Sequence, residues 1–454
     1  MACEREQTAL HCTCHAAYAR RIEFSQGCFQ NSQDKPLEPG DPRYEPLYAS
    51  LGPSDPVRLL GTNIAFSGVE SRQLFSGFRG SGKSTELLRL KKALEEQNYV
   101  VYYANALDYL NPALPVDITD FLILLAGAFS DSMRDAEGID LAGESYWTRF
   151  WHYLSTTQVK LEGFDLTLFR DAAKLKASLK DVFTFRQRLR EAMSLRLSEL
   201  EAQVKKFFEE CRKAIGERHT NLGVVFLFDN LEQLRGNALS EEREVLASVE
   251  KLFSQHLDRL SIPYFHVVYS VPPWLRFAIP GLAMQILPSI VQWRNDPEHS
   301  PNNDGDECLL QVIRKRFGHG GFDRFFGNDE AALPLVRSCG GSIRDLLYLL
   351  RETIVRADRL PISSQTIETT IRNLRNSLRV VSTEEALWLA RIAKSRTPEL
   401  PDISSASIFE FTRLVDTHLV LFLRNCDEWY DVHPLLRDHV EQIARREAEK
   451  ADAE

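Results

Sequence analysis

One octapeptide in this chain has the residue types and spacing of a phosphate-binding loop: Gly77-Phe78-Arg79-Gly80-Ser81-Gly82-Lys83-Ser84, followed by Thr85. It satisfies the pattern G-x-x-x-x-G-K-[ST] at every fixed place. In such a loop the glycines let the backbone fold into a nest of N–H groups that converge on an anion. The lysine ammonium reaches the β and γ phosphates, and the hydroxyl that follows is a ligand for Mg2+. Gly77 through Thr85 are therefore the candidate phosphate-binding residues, with Lys83 the charge at the transferring phosphoryl group and Ser84 one magnesium ligand. The expected cofactors are ATP and Mg2+.

A triphosphate with its magnesium needs a second anionic group at the tip of a neighbouring strand. The most apolar strand-like run, Gly223-Val224-Val225-Phe226-Leu227-Phe228, ends on Asp229, which makes Asp229 the second candidate ligand for Mg2+. An amide, Asn230, follows it, and the next acid is Glu232. Two readings stay open. Either Glu232 supplies the carboxylate that orients the attacking water, or hydrolysis is slow because an amide binds water without taking its proton. Glu232 is the preferred candidate. Ser270, at the end of the run Tyr264-Phe265-His266-Val267-Val268-Tyr269, is placed to sense the γ-phosphate.

These side chains need a scaffold that brings strand ends together. Gln73-Leu74-Phe75-Ser76 predicts a short strand before the loop, Leu87, Leu88, Leu90 and Leu94 predict a helix over 84–97, and Tyr99 to Ala104 a second strand. Strand, loop, helix, strand opens a parallel α/β sheet. The run ending at Asp229, apolar on both faces, and the run ending at Ser270 predict two more buried strands, with a weaker one near 284–287. Between about 117 and 216, helical spacing over Phe121–Met133, Tyr146–Leu154 and Phe183–Ile215 predicts inserted helices. The last carries Arg186, Arg188, Arg190, Glu191, Arg196, Glu199, Glu201, Lys205 and Lys206, and reads as a solvated helix laced with i,i+4 pairs. Region 306–375 reads as helical, and 383–454 as a helix, a hairpin and a final helix. Residues 1–55, punctuated by Pro36, Pro39, Pro42, Pro46 and Pro53, are expected to be largely irregular.

Length and composition bound the function classes. A chain of 454 residues with 44% hydrophobic and 26% charged residues is a globular protein of several domains. A net charge of -9 argues against a surface that grips nucleic acid indiscriminately. The longest apolar run, Phe121 to Phe129, is far below the roughly 20 residues that cross a bilayer, and Met1 to His15 is too charged for a secretory leader. The expectation is a cytoplasmic protein without membrane partners, its eight cysteines reduced. His11, Cys12, Cys14 and His15, with Cys3 and Cys28 nearby, lack the C-x2-C knuckle of a zinc site and read as part of a flexible tail.

The loop together with Val225-Phe226-Leu227-Phe228-Asp229-Asn230-Leu231-Glu232 resembles the STAND branch of the AAA+ superfamily, whose second motif is an apolar strand, Asp, a small residue, an apolar residue and an acid. Many AAA+ ATPases put a glutamate directly after the Asp, where this chain has Asn230. Ser338-Cys339-Gly340-Gly341-Ser342-Ile343-Arg344-Asp345 resembles the lid helix of AAA+ and origin-recognition-type ATPases, in which a Gly-Gly turn precedes a helix carrying the sensor 2 arginine. Arg344 is the matching residue. Phe411 to His418, Val420 to Arg424, a turn at Asn425 to Glu428, and Trp429 to Pro434 resemble the third helix and wing of a winged helix domain. Arg424 is the main basic residue of that hairpin, which favours packing against protein over reading DNA.

The resemblance implies an α/β fold: a P-loop NTPase core, a parallel sheet between helices, with inserted helices, a helical lid and a C-terminal winged helix. It divides the chain into an N-terminal extension 1–55, a core 56–305 with its insertion at about 117–216, a lid 306–378 and a winged helix 379–454. It implies catalytic roles for Lys83, Asp229, Glu232 and Arg344, and an arginine from a neighbouring subunit or the lid, for which Arg276, Arg314, Arg316 and Arg324 are candidates. The base contact is open, with Asp41 to Tyr48 the stretch considered. The function implied is an ATPase switch that controls its own assembly or a separate effector protein, as STAND relatives do in prokaryotic signalling and defence. Two alternatives stand beside it: a DNA-associated AAA+ ATPase of the origin-recognition or transposition-helper kind, and a nucleotide-bound scaffold that does not hydrolyse.

Overall fold

The structure is a computed structural model that describes residues 21–138, 146–156, 172–220, 222–235, 239–402, 404–425 and 427–453. The N-terminal cluster of Cys3, His11, Cys12, Cys14 and His15 lies outside the described residues. The chain groups into two compact units. One comprises Gly52–Gly77 and Lys83–Leu287. The other comprises the described residues up to Leu51, the loop residues Phe78–Gly82, and the chain from Pro288 on.

The first unit is an α/β layer structure around five parallel strands, β1 (Ser71–Gly77), β2 (Val100–Asn105), β3 (Val224–Asp229), β4 (Phe265–Ser270) and β5 (Gln285–Leu287). The spatial order is β2-β3-β4-β1-β5. Parallel neighbours require crossovers, and these are the helices. A helix over 21–31, α1, belongs to the other unit; here α2 (Pro56–Phe66) is capped by Asp55, and α3 (Lys83–Glu96) starts directly out of the loop. Then come α4 (Ile118–Glu137), α5 (Tyr146–Thr156), α6 (Ala172–Asp181), α7 (Phe183–Met193), α8 (Leu197–Arg218), α9 (Leu239–Gln255) and the short α10 (Leu275–Ala278). β3 and β4 are buried at every position, which their Val, Phe, Leu and Tyr content allows on both faces.

Phe129 of α4 shows how the core is made. Its ring meets Tyr102, Phe226 and Phe265 edge-on at centroid distances of 5.1, 5.2 and 5.1 Å, so one helical side chain bridges β2, β3 and β4. Each such pair adds about 0.5–1.5 kcal/mol beyond the buried area. The observed strands match the predicted ones to within a residue or two at each end.

The helix expected over Phe183–Ile215 is two helices. A 3-10 turn at Ser194–Arg196, with Leu195 exposed, separates α7 from α8. Each helix lays its own apolar stripe on α4, Phe185, Leu189 and Met193 from one and Leu200, Val204, Phe208 and Cys211 from the other, and a straight helix could not aim both. Arg186 corrects the solvated-helix reading. It is fully buried, and its Nε donates to Asp120 Oδ2 at 3.1 Å, with Arg190 Nε donating to the same oxygen at 2.8 Å.

The second unit is helical with one hairpin. α1 occupies residues 21–31, where no regular structure was expected. The proline density lies downstream of it, and α1 forms because it has tertiary partners: Phe24 packs on Phe317 and under the Arg324 guanidinium, while Cys28 is buried. Next come α11 (Asn303–Phe317), α12 (Gly321–Phe326), α13 (Asp329–Arg337), α14 (Ile343–Arg356) and α15 (Ser364–Leu378). The chain closes with α16 (Thr383–Ser395), α17 (Ser405–Asp416), the antiparallel pair β6 (Val420–Arg424) and β7 (Glu428–Val432), and α18 (Arg437–Ala453). Serines at 342, 363, 382 and 404 cap four of these helices through their side-chain oxygens. Among the described residues no helix is long and apolar enough to cross a membrane.

Candidate functional site

In a parallel sheet every strand ends at the same edge, and that edge is where ligands collect. Register makes this specific. Asn105 pairs with Asp229, Phe228 with Tyr269, and Ser270 with Phe75, so the ends of β2, β3, β4 and β1 lie level, with β4 between the strand that enters the loop and the strand that ends on Asp229.

Four of the predicted residues meet at this edge. Lys83, buried at the start of α3, sends its Nζ to the Gly77 carbonyl at 2.8 Å and to Glu232 Oε1 at 3.2 Å. Ser270 Oγ donates to Glu232 Oε2 at 2.7 Å. Asp229 is fully buried, and its Oδ1 accepts from the Asn230 N–H at 2.8 Å. Burial pushes the Glu232 carboxyl up from the usual range; Lys83 and the Ser270 hydroxyl pull it down, and Asp229 adds to the rise. Asn230, in the left-handed region at φ 71°, turns the chain so that Leu231 goes in and Glu232 reaches back; its amide donates to Asn105 Oδ1 at 3.0 Å.

Tyr103 was not anticipated. Its hydroxyl donates to Asp229 Oδ2 at 2.7 Å and also hydrogen-bonds Ser84, so the two predicted magnesium ligands share one partner. Burial, reinforced by Asp229, raises the phenol well above its ordinary value and keeps it neutral. Nothing in the sequence marks Tyr103 apart from its place near the end of β2. The donor set fits magnesium: Ser84 Oγ and the Asp229 carboxylate are hard oxygen ligands, and phosphate oxygens and water complete such a shell. Among the described residues no group of three His, Cys, Asp or Glu side chains could hold a metal by itself.

The apex of the loop, Phe78 to Gly82, makes its contacts with the helical unit. The Arg344 N–H donates to the Gly80 carbonyl at 3.3 Å. Gly80 has φ 84°, and a Cβ there would lie 2.5 Å from Arg344 Cβ and 2.9 Å from Ser342 Oγ, so only glycine fits. Phe78 stacks on Phe422 of β6 with centroids 5.7 Å apart, and the Tyr48 hydroxyl donates to the Ser81 carbonyl at 2.7 Å.

Arg344 sits in the first turn of α14, after the Gly-Gly turn, as expected. Its Nε donates to Asp34 at 2.6 Å, and its Nη1 is buried with no partner among the described residues. Beside it, His418 Nδ1 shares a 2.8 Å hydrogen bond with Asp345, while its Nε2 is buried without a partner among the described residues. Of the other arginines, Arg314 pairs with Glu307 at 3.0 Å, Arg316 donates to the Asn31 carbonyl at 2.7 Å, Arg324 lies 4.2 Å over the Phe24 ring, and Arg276 falls in α10.

This strand order, with the loop leading from β1 into α3, is the α/β architecture of a P-loop nucleotide-binding core. No family model matches the chain, and no curated protein matches it. Several solved structures are similar to this chain. One is Cdc6p from Pyrobaculum aerophilum, at 13% identity and a TM-score of 0.39, covering 92% of this chain and 98% of that one. Another is the ORC2 protein of Aeropyrum pernix in its ADPNP–ADP complexes, at 12% identity and a TM-score of 0.42, covering 92% and 98%. A third is the Walker-type ATPase PABY2304 of Pyrococcus abyssi, at 12% identity and a TM-score of 0.37, covering 91% and 99%. These scores are low, and the assignment of the core stands on the strand order and the loop.

Proposed function

We propose that this chain binds ATP with Mg2+ and hydrolyses it, as an AAA+ ATPase of the STAND kind whose nucleotide state controls its own assembly or a separate effector protein. The observation that carries the ATPase reading is the meeting of Lys83 and Ser270 on the Glu232 carboxylate, at 3.2 and 2.7 Å, beside the buried Asp229. Ser84 and Asp229 would hold the magnesium, which neutralises charge on the phosphates when bound. The loop amides grip the triphosphate tail, Lys83 leaves Glu232 for the phosphates, and the freed carboxylate takes the proton of the attacking water. Arg344 supplies a sensor charge next to Gly80. In this reading 306–378 serves as the lid and 379–454 as a winged helix, and the protein works in the cytoplasm.

The test is titration with ATP and Mg2+, followed by phosphate release from the wild type, Lys83→Ala and Glu232→Gln. Uptake by the wild type with release lost in both variants supports the ATPase. Uptake without any release supports the non-hydrolysing scaffold. Absence of uptake rejects the nucleotide reading altogether. The DNA-associated alternative, which the net charge of -9 disfavours, requires DNA binding that weakens steeply with salt.

A further inference from the structure

The loop backbone is held at three carbonyls, two of them by residues outside the loop. Gly77 O takes Lys83 Nζ, Gly80 O takes the Arg344 N–H, and Ser81 O takes the hydroxyl of Tyr48. The third of these bonds comes from the N-terminal segment. Tyr48 is 1% exposed, its oxygen lies 2.7 Å from the Ser81 carbonyl and 3.1 Å from that of Pro288, and its single proton goes to the nearer one. The segment before it is pinned: Asp41 and Arg43 pair with each other, and Lys315 holds Glu45 at 2.8 Å.

A trans peptide is planar, so its C=O and N–H point in opposite directions. Holding the Ser81 carbonyl toward Tyr48 therefore aims the N–H of Gly82, the next residue, the opposite way. We infer that Tyr48 is a positioning residue for the triphosphate: its hydroxyl fixes the Ser81–Gly82 peptide so that the Gly82 N–H is ready for a phosphate oxygen. The inference rests on the nucleotide reading above, and gives the segment Asp41 to Tyr48 a role in orienting the loop in place of contact with the base.

The experiment measures binding of Mg·ATP and of Mg·tripolyphosphate, which has no base, to the wild type and to Tyr48→Phe, with thermal unfolding of the ligand-free proteins alongside. Losing the alignment of one amide–anion bond predicts binding about fivefold to tenfold weaker, by the same factor for both ligands. A loss confined to ATP makes Tyr48 a base contact and overturns the inference, as does unchanged affinity for both. Should Tyr48→Phe fold poorly, 3-fluorotyrosine at position 48, similar in size and a stronger donor, must bind tripolyphosphate at least as well as the wild type. Weaker binding there also overturns it. If the wild type itself takes up neither ligand, the nucleotide reading falls first.

Discussion

The Lys83 ammonium lies 3.2 Å from Glu232 Oε1, joining the lysine of the phosphate loop to the acid three residues beyond the tip of β3. Both side chains are nearly buried, so each stabilises a charge that the other's absence would leave exposed to the apolar interior. Glu232→Gln keeps the shape and removes the base. Expected is ATP binding within a few-fold of the wild type and phosphate release slower by roughly 10²–10⁴-fold, measured in a coupled phosphate assay.

The same carboxylate predicts a pH dependence. Its pKa is raised, so in the protein it holds its proton to higher pH than a free glutamate, and the protonated form cannot accept a proton from water. Phosphate release should therefore climb as pH rises through a midpoint above the ordinary glutamate range of about 4.3. A flat rate across the weakly acidic range would remove Glu232 from the base role.

Asp120 is the only carboxylate bonded by the buried Arg186 among the described residues, and Arg190 shares it. Asp120→Ala takes from a buried guanidinium the carboxylate bonded to it. Loss of about 3–5 kcal/mol is expected, read as a lower urea midpoint at unchanged slope.

Gly341 has φ 73°, and a Cβ on it would sit 2.1 Å from the Ile290 carbonyl oxygen, to which no side chain can adjust. Its N–H accepts no substitute geometry either, since it donates to the buried Gln292 side chain at 2.7 Å. Gly341→Ala should destabilise by about 1–3 kcal/mol from backbone conformation alone, with the clash added, in thermal unfolding.

His433 is fully buried, and burial pushes its pKa down from 6.5 to about 4. Unfolded, the imidazole takes a proton at its ordinary value; folded, it resists until much lower pH. Its contribution to stability is therefore intact above about pH 6.5 and is lost as pH falls toward 4, on the order of 3 kcal/mol in all. Comparing the wild type with His433→Gln at pH 7 and pH 4.5 checks this, since the variant should lose less stability on acidification.

Much of the site was legible because its signals are local. The spacing from Gly77 to Ser84 is set by how a backbone wraps a phosphate, and an apolar run that must be buried on both faces announces β3 and its terminal Asp229. Ser270 followed from the same logic on β4. Tyr103 did not, because a tyrosine near a strand end acquires meaning only when the neighbouring strand is known. Nor did Tyr48, whose partner lies 33 positions away. The unbroken helix expected over Phe183–Ile215 failed because periodicity reports an apolar stripe and is silent about where the stripe must turn. The burial of Arg186 was hidden for a similar reason, as a charge at helical spacing looks alike whether it faces water or Asp120.

What the residues determined alone was the chemistry of the loop and the sequence of strands and helices, because glycine freedom, a lysine's reach and apolar periodicity act over a few residues. What only the tertiary structure decided was adjacency. β4 lies between β1 and β3, Glu232 reaches Lys83, and the carbonyls of Gly80 and Ser81 are held by Arg344 and Tyr48, since strand order and long-range hydrogen bonds minimise the energy of the whole packed chain and of no segment by itself.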